Sequence, residues 1–407
     1  MPSSSPLEPA PPASAAAIRC AAASSTDARI DVALREAAAS ATAVLGRPAD
    51  LACVFVSGRY GAAIRPAMEG LADLLAVPTV VGATAESILA GDTEHEAEPA
   101  VAVWLASIPG GRVIPFALEY TQTPDGGMFA GWPSEPAGGW PAEGSVVLLA
   151  DPFSFPVDGF IKRLEEEHPG VPIVGGMASG GVQPGGNTLV VGSRTYDSGA
   201  VGFVLGGAAR IRPVVSQGCR PIGRPLVITR SEENVILELG GRPALERLRE
   251  IYAELEPSDR QLVRGSLHVG RVASEYQEQF QRGDFLVRNV VGADPESGAI
   301  AVGDLVRTGQ TVQFHVRDAT TAHEDLTELL DAQKRRGAAP AGALVFSCNG
   351  RGTRLFDGPH HDARCLQEAF GPLAAAGFFA QGEIGPIGRH NCLHGFTASI
   401  ALVEPAR

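Results

Sequence analysis

Two glycine-rich turns carry the residues best suited to holding a ligand. Ser57-Gly58-Arg59-Tyr60-Gly61 and Ser347-Cys348-Asn349-Gly350-Arg351-Gly352 each join an apolar, strand-like run to a helical pattern, and each contains an arginine. Backbone N–H groups beside a guanidinium suit a carboxylate or a phosphate. Neither turn follows the GxxxxGK[ST] or GxGxxG spacing, so neither argues for a nucleotide. A second pair of segments places a carboxylate after a glycine-led run: Gly82-Ala83-Thr84-Ala85-Glu86, and the stretch from Gly377 through Gly382-Glu383-Ile384-Gly385. Glu383, flanked by glycines, does not fit a helix face and is placed to accept hydrogen bonds from a ligand amine. The expected ligand-binding set is therefore Arg59, Thr84, Glu86, Cys348, Asn349, Arg351, Glu383 and His394.

Two other chemistries compete for the same residues. Cys348 ends a strand at a glycine-rich turn, with Arg351 and Arg354 near in sequence. Cations lower a thiol pKa, and His360, His361 or His394 would then serve as base, giving a cysteine-dependent hydrolase or transferase as the alternative reading. No complete catalytic set is visible, so the leading reading assigns no catalytic residue and no enzyme activity. The second competitor is a metal. His360, His361, Cys365, His390, Cys392 and His394 fall within 35 residues, and in an extended strand the last three share one face. None meets a standard zinc spacing, so neither a metal nor another cofactor is expected.

The elements that must position these residues occur three times. Apolar runs at 51–56, 145–150 and 343–346 are each followed by a helical pattern and then by a second apolar run led into a glycine. The distances Val54 to Gly82, Val146 to Gly175 and Leu344 to Gly377 are 28, 29 and 33 residues. That length suits a strand–helix–strand crossover between parallel strands. The runs are continuous rather than alternating, as in strands covered on both faces. Between the second and third copies, 211–229 and 284–316 alternate and predict antiparallel strands. Helices are expected over 27–45, 62–76, 157–168, 242–255, 319–336 and 362–370, and an ordered loop over 127–144. The fold class is mixed α/β: sheets backed by helices, with repeated strand–helix–strand units and an antiparallel middle section. In open α/β sheets, ligands sit at the carboxyl ends of such strands, which places the glycine hinges at a common rim.

Bulk properties narrow the partners. The chain has 407 residues, 44% of them hydrophobic, with 49 glycines, 31 prolines and a net charge of -13. An acidic chain repels a phosphate backbone, so no nucleic-acid partner is expected. No apolar run reaches the ~18 residues that span a bilayer, so no membrane partner is expected. Six cysteines without a CxxC pair read as a reduced, cytoplasmic protein. The Ser/Pro/Ala-rich start reads as a disordered tail.

These motifs carry a resemblance. Val345 to Gly352, then Gly377-Phe378-Phe379-Ala380-Gln381-Gly382-Glu383-Ile384-Gly385 about 25 residues later, and the closing His394-Gly395-Phe396-Thr397, resemble the C-terminal FIST domain. Val81 to Glu86 and Gly199-Ala200-Val201-Gly202-Phe203 resemble the N-terminal FIST domain, with Ala85 standing where the family more often has glycine. After the tail at 1–26 that composition indicates, the resemblance implies an N-terminal FIST domain at 27–235 and a C-terminal FIST domain at 236–407. It implies an intracellular sensory or signal-transduction module for a small molecule such as an amino acid. With no kinase or cyclase segment visible, the signal is expected to leave through a signalling partner protein. The family also contains a eukaryotic F-box protein, but no F-box-like segment is expected here.

Overall fold

In a computed structural model, the protein is described at residues 17–124, 126–133, 136, 139–141, 143–276, 279–337 and 339–406. Of the expected tail, 1–16 lie outside the described residues, while the stretch after them forms strand β1 (Arg19–Ser25) and belongs to the fold. Its short run of alanines pairs along its whole length with the strand ending the first repeat.

The first repeat continues with α1 (Ile30–Leu45), β2 (Leu51–Ser57), α2 (Ile64–Glu69), α3 (Leu71–Leu75), β3 (Thr79–Ala85), the hairpin β4 (Ile88–Ala90)–β5 (Thr93–His95) and β6 (Val101–Ser107). Gly46, left-handed at φ 68°, ends α1 as its sequence predicts, and Gly70 splits the expected helix 62–76 into two. The second repeat runs β7 (Gly111–Thr123), β8 (Gly126–Ala130), β9 (Ser145–Ala150), α4 (Val157–Glu167), β10 (Ile173–Met177), the hairpin β11 (Leu189–Val191)–β12 (Arg194–Tyr196) and β13 (Ala200–Gly207). Strand β8 occupies the start of the expected loop 127–144.

The third repeat opens with β14 (Ala209–Gln217) and is then interrupted. The inserted unit comprises β15 (Cys219–Glu232), β16 (Val235–Leu239), β17 (Arg242–Pro243), α5 (Ala244–Glu254), α6 (Pro257–Ser266), β18 (Leu267–Val272), β19 (Phe285–Asp294), β20 (Ala299–Val302), β21 (Thr311–Arg317) and α7 (Ala319–Arg335). Its strands form one antiparallel sheet, the expected middle section. The repeat resumes with β22 (Gly342–Cys348), α8 (His361–Phe370), β23 (Ala375–Ala380), the hairpin β24 (Glu383–Ile387)–β25 (His390–His394) and β26 (Thr397–Pro405).

The three repeats do not build one common sheet; the crossover pair of each anchors a separate wall with the same core strand order, the second wall adding β8 beyond β7. An outer strand lies antiparallel to a closing strand, followed by the parallel crossover pair and a hairpin: β1-β6-β2-β3-β11-β12, β7-β13-β9-β10-β24-β25 and β14-β26-β22-β23-β4-β5. The hairpin in each wall comes from another repeat. The first repeat donates to the third wall, the second to the first, and the third to the second. The exchange closes in a ring, so no wall can form complete from its own repeat.

The inner faces of the three walls share one core. Phe55 of the first wall meets Phe346 and Phe378 of the third, and Leu149 and Phe203 of the second complete the centre. Helices cover the outer faces: α1, α2 and α3 on the first wall, α4 on the second, α7 and α8 on the third. This double coverage explains the continuous apolar runs.

Three glycines hold matched places in the crossover pairs. Gly82, Gly175 and Gly377 lie opposite Val54, Leu148 and Val345. A Cβ on each would stand 2.2, 1.9 and 1.8 Å from the carbonyl oxygen of that residue. No side chain fits between the paired backbones there. Gly377→Ala is expected to cost about 2 kcal/mol by forcing the strands apart; a denaturant midpoint equal to that of the parent would refute the close approach.

Candidate functional site

The carboxyl ends of all three crossover pairs meet at one rim, as their sequences predict. Gly58 after β2 lies so close to Gly180 after β10 that a Cβ on it would stand 2.3 Å from the Gly180 oxygen. Ser179 ties the three repeats together. Its Oγ accepts from the Glu86 N–H at 2.9 Å and donates to the Phe379 carbonyl. Thr84 Oγ1 accepts from the Thr188 N–H at 2.9 Å. Glu86 binds both terminal guanidinium nitrogens of Arg354, whose Nη1 also donates to the Asn349 carbonyl at 2.9 Å. Thr84 and Glu86 are thus engaged within the chain, and the Arg59 side chain is exposed at the edge of the rim.

Cys348, Arg351, Glu383 and His394 gather on the other side of the β22 turn, beside Arg317 of the inserted sheet; Asn349 lies in that turn, with its backbone N–H donated to the Ala380 carbonyl. Glu383 opens β24 and lies across from His394 of β25. It is fully buried; its Oε2 accepts from the Thr397 N–H and hydroxyl at 3.0 and 2.9 Å. Its Oε1 lacks a partner with proper hydrogen-bond geometry, although the Cys348 thiol stands close enough to favour the charged form slightly. Burial pushes the Glu383 carboxyl up to about 8 against the help from Thr397. His394 donates its Nε2–H to the Gly385 carbonyl at 2.9 Å, and burial lowers its pKa to about 4.

Arg351, one of the expected ligand groups, is not at the surface. It is fully buried, because Asp362 at the start of α8 chelates it through Nε at 2.8 Å and Nη2 at 2.7 Å. Ser347 Oγ at 2.6 Å and His361 Nδ1 at 2.9 Å complete the shell of that carboxylate. Burial opposes its ionisation, but the adjacent guanidinium outweighs burial and holds the group well below the usual carboxylate range. Arg351 Nη1 is left without a partner.

The cation that serves this nest comes from a residue its sequence did not single out. Arg317, at the end of β21, donates Nη2 to the Gly350 carbonyl and lies over the Phe396 ring at 5.4 Å. It interacts electrostatically with Cys348 and Glu383, and its Nε has no partner. His268 of β18 also packs on the Phe396 ring, with centroids 4.2 Å apart. The only sequence signal for Arg317 is its place at the end of an alternating strand. The cysteine nucleophile loses its premise: burial and then the Glu383 carboxyl push the Cys348 thiol up to about 12, opposite to the lowering expected from the arginines. Arg354, one of those arginines, is committed to Glu86.

Residues 50–242 match the FIST N domain and residues 244–386 match the FIST C domain. The chain belongs to the FIST family. FIST domains are sensory domains of signal transduction rather than catalysts as a family. This FIST protein is 45% identical over 324 residues to an uncharacterised protein of Mycobacterium tuberculosis, covering 79% of this chain and 83% of the relative. It is 43% identical over 336 residues to an uncharacterised protein of Mycobacterium bovis, covering 82% and 85%. No helix among the described residues of this FIST protein is long and apolar enough to cross a membrane.

Proposed function

We propose that this FIST protein is a sensory module that binds a zwitterionic small molecule, an α-amino acid, in the nest between Glu383 and Arg317, and passes the signal to a partner protein. The observation that carries this reading is a set of buried polar atoms of complementary kind without partners: the acceptors Glu383 Oε1 and Asn349 Oδ1, and the donors Arg317 Nε and Arg351 Nη1. A buried polar atom without a partner costs about 1–3 kcal/mol. A ligand with an ammonium for the acceptors and a carboxylate for the donors removes several such costs at once. Binding rather than catalysis also fits the protonated Cys348 thiol. The turn 348–354 is held by Arg317 from the inserted sheet and by Glu86 and Glu96 from the first repeat. A ligand that tightens the nest therefore pulls on surface shared by both family domains, which gives a partner something to read. Six free cysteines fit a reducing, cytoplasmic setting.

The test is a thermal-shift screen against amino acids and organic acids, followed by calorimetry of any hit. An amino acid is expected to raise the melting temperature, and Glu383→Gln to weaken its binding at least tenfold while leaving the fold intact. A screen without hits, or equal affinity in the variant, would remove the nest as the ligand site.

A further inference from the structure

A second site lies on the outer face of the third wall, between α7 and α8. His361 and Cys365 stand one turn apart on α8, and His323 faces them from α7. His323 Nδ1 is 3.0 Å from His361 Nε2, and Cys365 Sγ is 3.9 Å from each of those nitrogens. A point equidistant from three atoms so spaced lies about 2.1 Å from all of them, which matches zinc–nitrogen bonds of about 2.0–2.1 Å and approaches the zinc–sulfur length of about 2.3 Å. The donors need move only by tenths of an ångström to become ligands.

We propose that His323, His361 and Cys365 bind a divalent transition metal of the zinc class, with a fourth coordination position open to an exogenous donor. Four features separate this cluster from a chance gathering of side chains. His361 gives its Nδ1 to Asp362 at 2.9 Å. That fixes the ring's orientation and leaves Nε2 as the metal-facing nitrogen, the carboxylate–histidine–metal arrangement common in zinc proteins. Phe356 stacks on the same ring, 3.4 Å between centroids and 8° from parallel, and prevents it from turning. The three donors line a cavity of about 460 Å³ together with Arg364 and Glu368, so the fourth position faces space rather than protein. His323 is exposed, which provides an entry path, while Cys365 is buried behind it. Two imidazoles and a thiolate favour zinc over magnesium or calcium, and three protein ligands with one open position mark a site that exchanges its fourth ligand. On binding, the metal replaces the hydrogen bond between the two histidines and takes up Cys365 as thiolate, releasing the thiol proton to solvent.

The experiment uses the full, untagged chain stripped of metal and titrated with cobalt(II). One equivalent is expected to produce a thiolate-to-cobalt charge-transfer absorption in the near ultraviolet and visible bands of four-coordinate strength, both abolished by one equivalent of zinc(II). Cys365→Ser is expected to remove the charge-transfer band. His323→Ala, at an exposed position that leaves folding intact, is expected to weaken zinc binding at least tenfold by calorimetry. No charge-transfer band at stoichiometric cobalt would show a hydrogen-bonded histidine pair and nothing more, and would overturn the proposal. A band of equal strength in Cys365→Ser would assign it to another thiol, such as Cys392 beside His390, and would overturn it as well. Unchanged zinc affinity in His323→Ala has the same consequence.

Discussion

Arg351→Ala is expected to destabilise the protein by about 3–5 kcal/mol, the penalty for leaving one member of a buried ion pair without the other. Asp362 is as deeply buried as its partner, with 1% of its side chain exposed. Without the guanidinium it retains only Ser347 and His361 as donors. The loss is read as a shift of the urea midpoint at unchanged slope. The same physics makes a second variant informative. Arg351→Met combined with Asp362→Leu removes both charges and keeps the volume, so it should recover at least half of the lost stability. A single variant within 1 kcal/mol of the parent would mean that the pair does not hold the turn. The expectation also bears on ligand work: Arg351→Ala confounds lost binding with lost fold, whereas Glu383→Gln leaves that pair untouched.

The crossover units were legible because their physics is local. A parallel pair needs a fixed length of chain to return, and the 28-, 29- and 33-residue spacings met it. The matched glycines were legible as hinges, and the strand pairing adds the reason: a carbonyl of the neighbouring strand occupies the place of each Cβ. The ring of exchanged hairpins was not legible. Strands of three residues, such as Ile88–Ala90 and Leu189–Val191, carry no usable period, and their partners are set by how three walls close on one core. Helix α6 escaped because its sequence, PSDRQLVRGS, has no buried residue to mark a face. The candidate site divides in the same way. Glu383 stood out by its glycine neighbours. Arg351 is legible as a ligand group but its ion pair is not, because nothing local marks a carboxylate 11 residues away as its partner. His323 and Arg317 reach their clusters only through the packing of the inserted unit against the third wall.

Stability should be greatest near pH 6.5 and fall on both sides, for reasons traceable to five buried groups. Burial lowers His268, His315 and His394 to about 4 each, and it raises Glu94 and Glu383 to about 8. A histidine with a depressed folded pKa adds stability above its unfolded value of about 6.5, and that contribution is lost as pH falls toward 4. A carboxyl with a raised folded pKa adds stability below its unfolded value of about 4.3, and that contribution is lost as pH rises toward 8. Between these limits the three histidines and two glutamates oppose one another, so the rise with pH is shallow. Above pH 6.5 only the glutamates act, and unfolding releases up to two protons. At about 1.4 kcal/mol per proton per pH unit, the loss from pH 6.5 to 8 is about 2–4 kcal/mol. Urea unfolding at the two pH values measures it, and Glu383→Gln should roughly halve the slope. Stability that stays flat or rises over that interval would show both carboxyls already ionised in the native protein. The same carboxyl then governs the ligand. An ammonium group requires Glu383 as carboxylate, so binding below pH 8 must expel its proton, and affinity for an amino acid should climb by up to tenfold per pH unit as pH approaches 8.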